Sequence, residues 1–378
     1  MRDQNQRHWR FVEAAAAGKI LLGGLGVAVE GGGAFAVGCA PEVLTDDETA
    51  HVLAHGRGVR LLLTRRRLAA LDAAPAAPGA AFALALPGGA TPATLRALAD
   101  PTAADPPGGV GGLPVRPANG AEAALLLLAK CVGLLPAVLA LDAAVPGLPV
   151  RAGVTAAAVE AHEQAAARSL LPVSEAHVPL KEVGDTRFVT FRSRLGGPQH
   201  HVILVGEPEA TGAPLCRLHS ECFTGDVFGS LRCDCGQQLK GALRRMAAEG
   251  SGVLLYLAQE GRGIGLANKL RAYRLQDEGV DTVDANTHLG FEPDERDFLA
   301  AAVMLERLGI ERVRLLTNNP DKLDALARHG VRVTERVPHA FLANSHNRFY
   351  LETKARRAGH LLNGNAEAPD RCVCPAAV

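Results

Sequence analysis

The chain has 378 residues, too many for one ordinary hydrophobic core and well suited to two domains. Apolar residues make up 48% and charged residues 21%, the profile of a soluble globular protein. Its 40 basic and 40 acidic residues cancel, which argues against non-specific nucleic-acid binding and against a polybasic membrane anchor, because both need a sustained excess of positive charge.

Residues 1–10 are polar and contain no apolar core, so they do not read as a secretory signal. Up to residue 172 the chain is dense in Ala, Leu, Gly and Pro, and its only lysines are Lys19 and Lys130. Aromatic residues are only 4% of the chain, so cores must be built from Ala, Leu and Val. The many Pro and Gly residues of 75–117 predict long loops. The most apolar stretch, 123–141, is interrupted by Lys130 and Pro136 and closed by Asp142. It lacks the unbroken length that spans a bilayer and predicts a helix, a turn and a strand.

From about Val173 short apolar runs alternate with polar clusters. Strands are predicted at 188–191, 201–205, 253–257 and 313–316, and helices at 238–249, 266–278, 295–308 and 321–328. Gly250-Ser251-Gly252 and Gly279 stop the first two of these helices. Residues 365–378 read as a loose tail. The predicted fold class is therefore α/β (mixed α+β) in two domains, 1–172 and 173–364, with function on loops at strand ends.

The strongest chemical signal is Arg217-Leu218-His219-Ser220-Glu221-Cys222, followed by Arg232-Cys233-Asp234-Cys235. Three cysteines spaced C-x10-C-x-C offer three thiolates, with no fourth Cys or His at a comparable spacing nearby. Three protein ligands and a position left for water are the pattern of a catalytic zinc, which lowers the pKa of that water toward neutrality. Asp226, Arg232 and Asp234 among them would make a poor core. Gln259-Glu260-Gly261-Arg262-Gly263 lies between an apolar strand and a helix, where backbone amides and an arginine fork suit a phosphate. Thr317-Asn318-Asn319-Pro320-Asp321-Lys322 reads as a capped helix start with a lysine for phosphate, and Asp294 and Arg296 as the first turn of a charged helix.

Taken in order, these segments closely resemble GTP cyclohydrolase II, the riboflavin-pathway enzyme that opens the imidazole ring of GTP. The resemblance runs from about residue 176 to 363 and includes Asn268 to Tyr273, Leu289-Gly290-Phe291 and Asp294 to Phe298. It implies a zinc ion, one per chain, on Cys222, Cys233 and Cys235. It implies GTP contacts from Arg217, Leu218, His219, Ser220, Glu221, Gln238, Glu260, Gly261, Arg262, Thr282, Thr317 and Lys322. It assigns Asp294 as proton acceptor, Arg296 as nucleophile toward the α-phosphate and Tyr273 a place near the guanine. The residues themselves favour Arg296 as a stabiliser of phosphate charge, because a guanidinium stays protonated in proteins. The family also implies Mg²⁺ on the triphosphate and a homodimer, while an N-terminus unlike a signal and a cysteine count of eight, too few for a disulfide scaffold, point to a cytoplasmic location. The alternatives are a bifunctional fusion and a GTP-binding regulator without turnover.

The first half more faintly resembles 3,4-dihydroxy-2-butanone 4-phosphate synthase, through Gly18-Lys19, His55-Gly56-Arg57-Gly58 and Gly133-Leu134-Leu135-Pro136. That enzyme's acidic loop, histidine and metal-binding glutamate are replaced here by residues 31–36 (GGGAFA), 118–121 (ANGA) and Ala140-Leu141. Glycine, alanine and leucine side chains cannot hold Mg²⁺, so this half reads as a non-catalytic relative kept for packing, dimerisation or regulation. All the matched motifs lie beyond residue 216, which predicts that removing 1–172 leaves the pocket intact.

Overall fold

The computed structural model describes residues 13–103 and 110–341. The N-terminal ten residues and the tail at 365–378, with Cys372 and Cys374, lie outside them. The chain forms two compact units. One gathers Met1–Ser169 and Ser193–Gly197 with Gly261–Arg296; the other holds Leu170–Arg192, Pro198–Glu260 and Asp297–Val378. The fold is mixed α/β with two sheets.

The first unit carries β1 (Gly26–Gly31), β2 (Ala34–Cys39), β3 (Arg60–Thr64), β4 (Ala81–Ala85), β5 (Val115–Pro117), β6 (Ala137–Leu141) and β7 (Val150–Thr155). Their order is β5-β4-β3-β6-β2-β1-β7, antiparallel except for β1 with β7. Side chains alternate across a strand, and here both faces are apolar. Leu62, Ala83, Val138 and Ala140 enter one core, while Leu61, Leu63, Phe82, Leu84, Leu139 and Leu141 enter the other. That is why these strands read as unbroken apolar runs. Gly32 and Gly33, both with positive φ, close the tight β1–β2 hairpin. The apolar stretch after residue 119 divides as expected, into the helix Gly120–Cys131 and β6. The loops expected over 75–117 are shorter than predicted, because β4, the helix Pro92–Ala99 and β5 interrupt them. Thr91 caps that helix, with Pro92 in its first turn.

Residues 261–296 complete this unit. Ile264, Ala272, Leu275, Ala285, Leu289 and Phe291 share a core with Leu135 of the first half. The Thr64 hydroxyl donates to the Gly290 carbonyl at 2.6 Å. The buried Arg67 guanidinium donates to the carbonyls of Leu98 (2.8 Å), Ala97 (3.0 Å) and His288 (3.1 Å). Burial pulls its pKa down to about 10.

The second unit carries β8 (Leu170–His177), β9 (Arg187–Ser193), β10 (His200–Val205), β11 (Leu215–Ser220), β12 (Gly252–Leu257), β13 (Arg312–Leu316) and β14 (Arg332–Val337). Their order is β14-β13-β11-β12-β10-β9-β8, and the first four run parallel. The helix Cys235–Glu249 packs Ala242, Leu243 and Met246 onto Leu215 and Leu254, and stops at Gly250 in the left-handed conformation. The helix expected at 295–308 begins only at Leu299. The carboxylates of Asp294 and Asp297 accept the N–H groups of Arg296 (3.1 Å) and Leu299 (2.7 Å), local bonds that compete with helix formation.

Arg67→Met should strand three carbonyls and lower stability by about 3 kcal/mol, read as a shifted urea midpoint.

Candidate active site

In the second unit the three thiols come together at the carboxyl end of β11. Cys222 follows that strand, the short helix Phe223–Asp226 turns the chain, and Cys233 and Cys235 stand at the start of the helix Cys235–Glu249. The three Sγ atoms lie within 4.8 Å of one another, and those of Cys222 and Cys233 are 3.7 Å apart. Thiolates about 2.3 Å from a tetrahedral zinc stand about 3.8 Å from each other, so the donor set fits that ion. A Cβ on Gly225 would lie 2.8 Å from Cys233 Sγ and 3.0 Å from Cys222 Sγ. Only glycine leaves the thiols this room. The neighbouring Cys222 thiol pushes the Cys233 pKa up to about 11, so this thiol keeps its proton until a cation takes its place.

Asp226 fastens this loop. Its buried carboxylate accepts from the Cys222 N–H (3.0 Å), the Tyr256 hydroxyl (3.0 Å) and His219 Nε2 (3.1 Å). Burial lowers the His219 pKa against the opposing pull of Asp226, which keeps the imidazole neutral with its proton on Nε2. Among the described residues its buried Nδ1 has no hydrogen-bond partner. Burial, and then the charge of Asp226, push the Tyr256 phenol pKa up.

The remaining candidates of this unit line the same strand ends. Arg217 alternates with the core residue Leu218 on β11 and donates to the Leu316 carbonyl (2.9 Å) and to Gln238. Lys322 Nζ donates to the Leu218 carbonyl (2.8 Å) and stands 5.5 Å over the Phe298 ring. Ser220 accepts from Gln259 (2.9 Å), the Glu221 N–H donates to the Leu257 carbonyl (2.8 Å), and Glu260 accepts the Phe223 N–H (2.6 Å). The Thr317 hydroxyl accepts the Asn319 N–H (3.0 Å). Carboxyl ends of parallel strands are where open α/β sheets bind ligands.

Sequence reasoning passed over Asp226 as an anchor, and also Tyr256, Gly225 and His339. His339 follows β14; its Nε2 donates to the Gln238 carbonyl at 2.8 Å, and burial pushes its pKa down to about 3. No local pattern announces these residues, because what they do depends on side chains that only the fold brings against them: Tyr256 on β12 for Asp226, the helix residue Gln238 for His339, and the cysteine sulfurs for Gly225.

The first unit holds the other candidates. Gly261 and Arg262 both have left-handed backbones, at φ 62° and 61°. For the arginine this costs roughly 1–2 kcal/mol. The Arg262 carbonyl accepts the Glu295 N–H at 3.0 Å. Asp294 and Arg296 form a chelate, with Nε to Oδ1 at 2.8 Å and Nη2 to Oδ2 at 2.5 Å. They lie on irregular chain before the helix, not on its first turn. Burial raises the Asp294 pKa, but the hydrogen bonds and charge of Arg296 outweigh it and hold the carboxyl below its usual value. Lys269 stands 5.7 Å over the Tyr273 ring, and Thr282 opens the helix Thr282–His288 behind its cap, Asp281.

A family model described as GTP cyclohydrolase II matches residues 172–338. GTP cyclohydrolase-2 of Azospirillum brasilense is 50% identical over 312 residues, covering 80% of this chain and 80% of the relative. The chain belongs to the GTP cyclohydrolase II family. A riboflavin biosynthesis protein of Vibrio vulnificus is 53% identical over 186 residues, or 49% of this chain and 51% of that one. A solved two-domain 3,4-dihydroxy-2-butanone 4-phosphate synthase from A. baumannii is 16% identical, covering 86% of this chain and 99% of that one with a TM-score of 0.32. Among the described residues no helix is long and apolar enough to cross a membrane. The cysteine cluster is a feature that suits this family's metal chemistry.

Gly225→Ala should lose bound metal while the fold persists, because its Cβ would occupy the space of two sulfur atoms. Full metal content with unchanged circular dichroism would show that the thiols can move aside.

Proposed function

We propose that the chain hydrolyses GTP to 2,5-diamino-6-(5-phosphoribosylamino)pyrimidin-4(3H)-one, formate and pyrophosphate, with one zinc ion held by Cys222, Cys233 and Cys235. The observation that carries this reading is the gathering of three thiols at the carboxyl end of β11 in a GTP cyclohydrolase II chain. Two waters are consumed at C8, breaking its bonds to N9 and N7 and releasing formate, and one at the α–β phosphoanhydride. Bound there, zinc would supply Lewis-acid activation of water for attack at C8.

The protein's own groups divide the rest of the work. Arg217, His219, Ser220, Glu221, Gln238, Thr282 and Thr317 would hold the nucleotide, with Leu218 and Gly261 contributing backbone and Tyr273 lying by the guanine. Arg262, Arg296 and Lys322 would neutralise phosphate charge, and Glu260 would keep the zinc loop closed through the Phe223 N–H. Asp294 would accept a proton at the phosphate, where its depressed pKa keeps it ionised near neutrality. The chelate supports Arg296 as a charge stabiliser rather than a nucleophile, since a guanidinium bound to a carboxylate is a cation. Mg²⁺ would ride on the triphosphate oxygens.

In this reading residues 173–364 are the cyclohydrolase domain, and 1–172 are a non-catalytic relative of the butanone-phosphate synthase. Positions 31–36, 118–121 and 140–141 carry no carboxylate. The homodimer is carried over from the family resemblance and is open to sedimentation analysis, and the cytoplasmic location from the sequence's polar start and sparse cysteines.

Purified protein given GTP should release formate and pyrophosphate. Cys233→Ser should lose zinc and formate release together, and normal turnover in a zinc-free Cys233→Ser would overturn the metal's role. Arg296→Ala should lose pyrophosphate release. Ribulose 5-phosphate with Mg²⁺ should yield no butanone phosphate, and detection of that product would establish the bifunctional reading instead.

A further inference from the structure

We propose that the first half of the chain positions the phosphate-handling residues, through Lys130 acting on Glu295. The inference rests on the roles proposed above for Asp294 and Arg296. Glu295 lies between those two residues in the chain. Its Oε1 accepts from Lys130 Nζ at 2.6 Å and from the Glu292 N–H at 2.7 Å. Its own N–H donates to the Arg262 carbonyl at 3.0 Å. One residue therefore ties together Lys130, the Arg262 turn and the Asp294–Arg296 chelate.

The surroundings make the tie specific. Lys130 and Glu295 are each only 21% exposed in their side chains, so the pair is better shielded from salt and water than a surface ion pair. Lys130 belongs to the last turn of the helix Gly120–Cys131, whose other side chains fill the core beneath the first sheet. It also lies 5.8 Å from the Phe291 ring, with the ammonium over its face. A Cβ on Gly263 would come within 3.1 Å of the Glu295 carbonyl carbon, so the turn and residue 295 are packed without slack. Thr64 on Gly290, Arg67 on His288 and Asn268 on Gly133 repeat the link along the same segment. Arg271 adds ion pairs to Glu42 and Asp100. Lys130 is one of the two lysines of the first half.

Lys130 is a positioning residue, so its loss should act on kcat rather than on GTP affinity. In the full-length, zinc-loaded protein, Lys130→Met should lower kcat for pyrophosphate and formate release by about tenfold or more, with KM and zinc content unchanged. Lys130→Arg, which keeps the charge, should recover most of the rate. Glu295→Gln should show the same loss, and the double variant should be no worse than either alone. If Lys130→Met does not fold, Glu295→Gln carries the test. A wild-type kcat in either folded variant, or additive losses in the double variant, would overturn the inference. Arg296→Ala run in parallel separates the two readings. Full turnover there would remove the role of the chelate and this inference with it, whereas lost turnover there beside a normal Lys130→Met would remove the inference alone.

Discussion

β11 is buried along almost its whole length and pairs in parallel with both of its neighbours. That single arrangement sets the chemistry of the second unit. Parallel neighbours send their connections out at the same end, so the segments after β11, β12 and β13 must emerge side by side. Those segments carry the cysteines, Glu260 and Thr317. The strand's own alternation then turns Arg217 and His219 to one face and keeps Leu218 on the other. A polar residue on so buried a strand must be satisfied, and the partners of Arg217 and His219 are the groups that also shape the metal loop: Gln238 for one and Asp226 for the other.

Asp226 shows how economical the result is. One carboxylate fixes the backbone of Cys222, the tautomer of His219 and the hydroxyl of Tyr256. A charge so enclosed is tolerated because donors meet it on several sides. The glycine beside it, Gly225, is set by volume, since sulfur atoms fill the position of its missing side chain.

The first unit works by a different constraint. Residues 261–296 lie far along the chain from the first half, yet their apolar residues have Leu135 as a core partner and their carbonyls are capped by Thr64 and Arg67. Buried carbonyls need donors, and in this segment two of those donors, Thr64 and Arg67, belong to the first hundred residues. The first half thus carries a demanding structural task for residues 261–296. The strained backbone of Arg262 fits the same pattern, because such a conformation persists only where its surroundings hold it in place.

Much of this was legible in the sequence. Short-range patterns gave β9, β10, β12 and β13 and the helices near 238–249, 266–278 and 321–328 to within a few residues, because alternation, capping and glycine stops are local effects, while β8, β11 and β14 were not expected. The family could be read from ordered motifs, and the thiolate triad from spacing, since two of its members are adjacent but for one residue. The exceptions are also local in cause: Asp294 and Asp297 bonded their own neighbours' N–H groups and delayed the helix. Tertiary structure alone decided the rest. The anchoring of Asp226 by Tyr256, the burial of His339 against Gln238 and the grouping of 261–296 with the first half depend on residues brought close from distant parts of the chain, and the room at Gly225 depends on how the cysteine loop folds back on itself. Spacing along a sequence records which side chains can bond to their neighbours. It does not record which carbonyl, thirty or two hundred residues away, will be left needing a donor once the strands have paired.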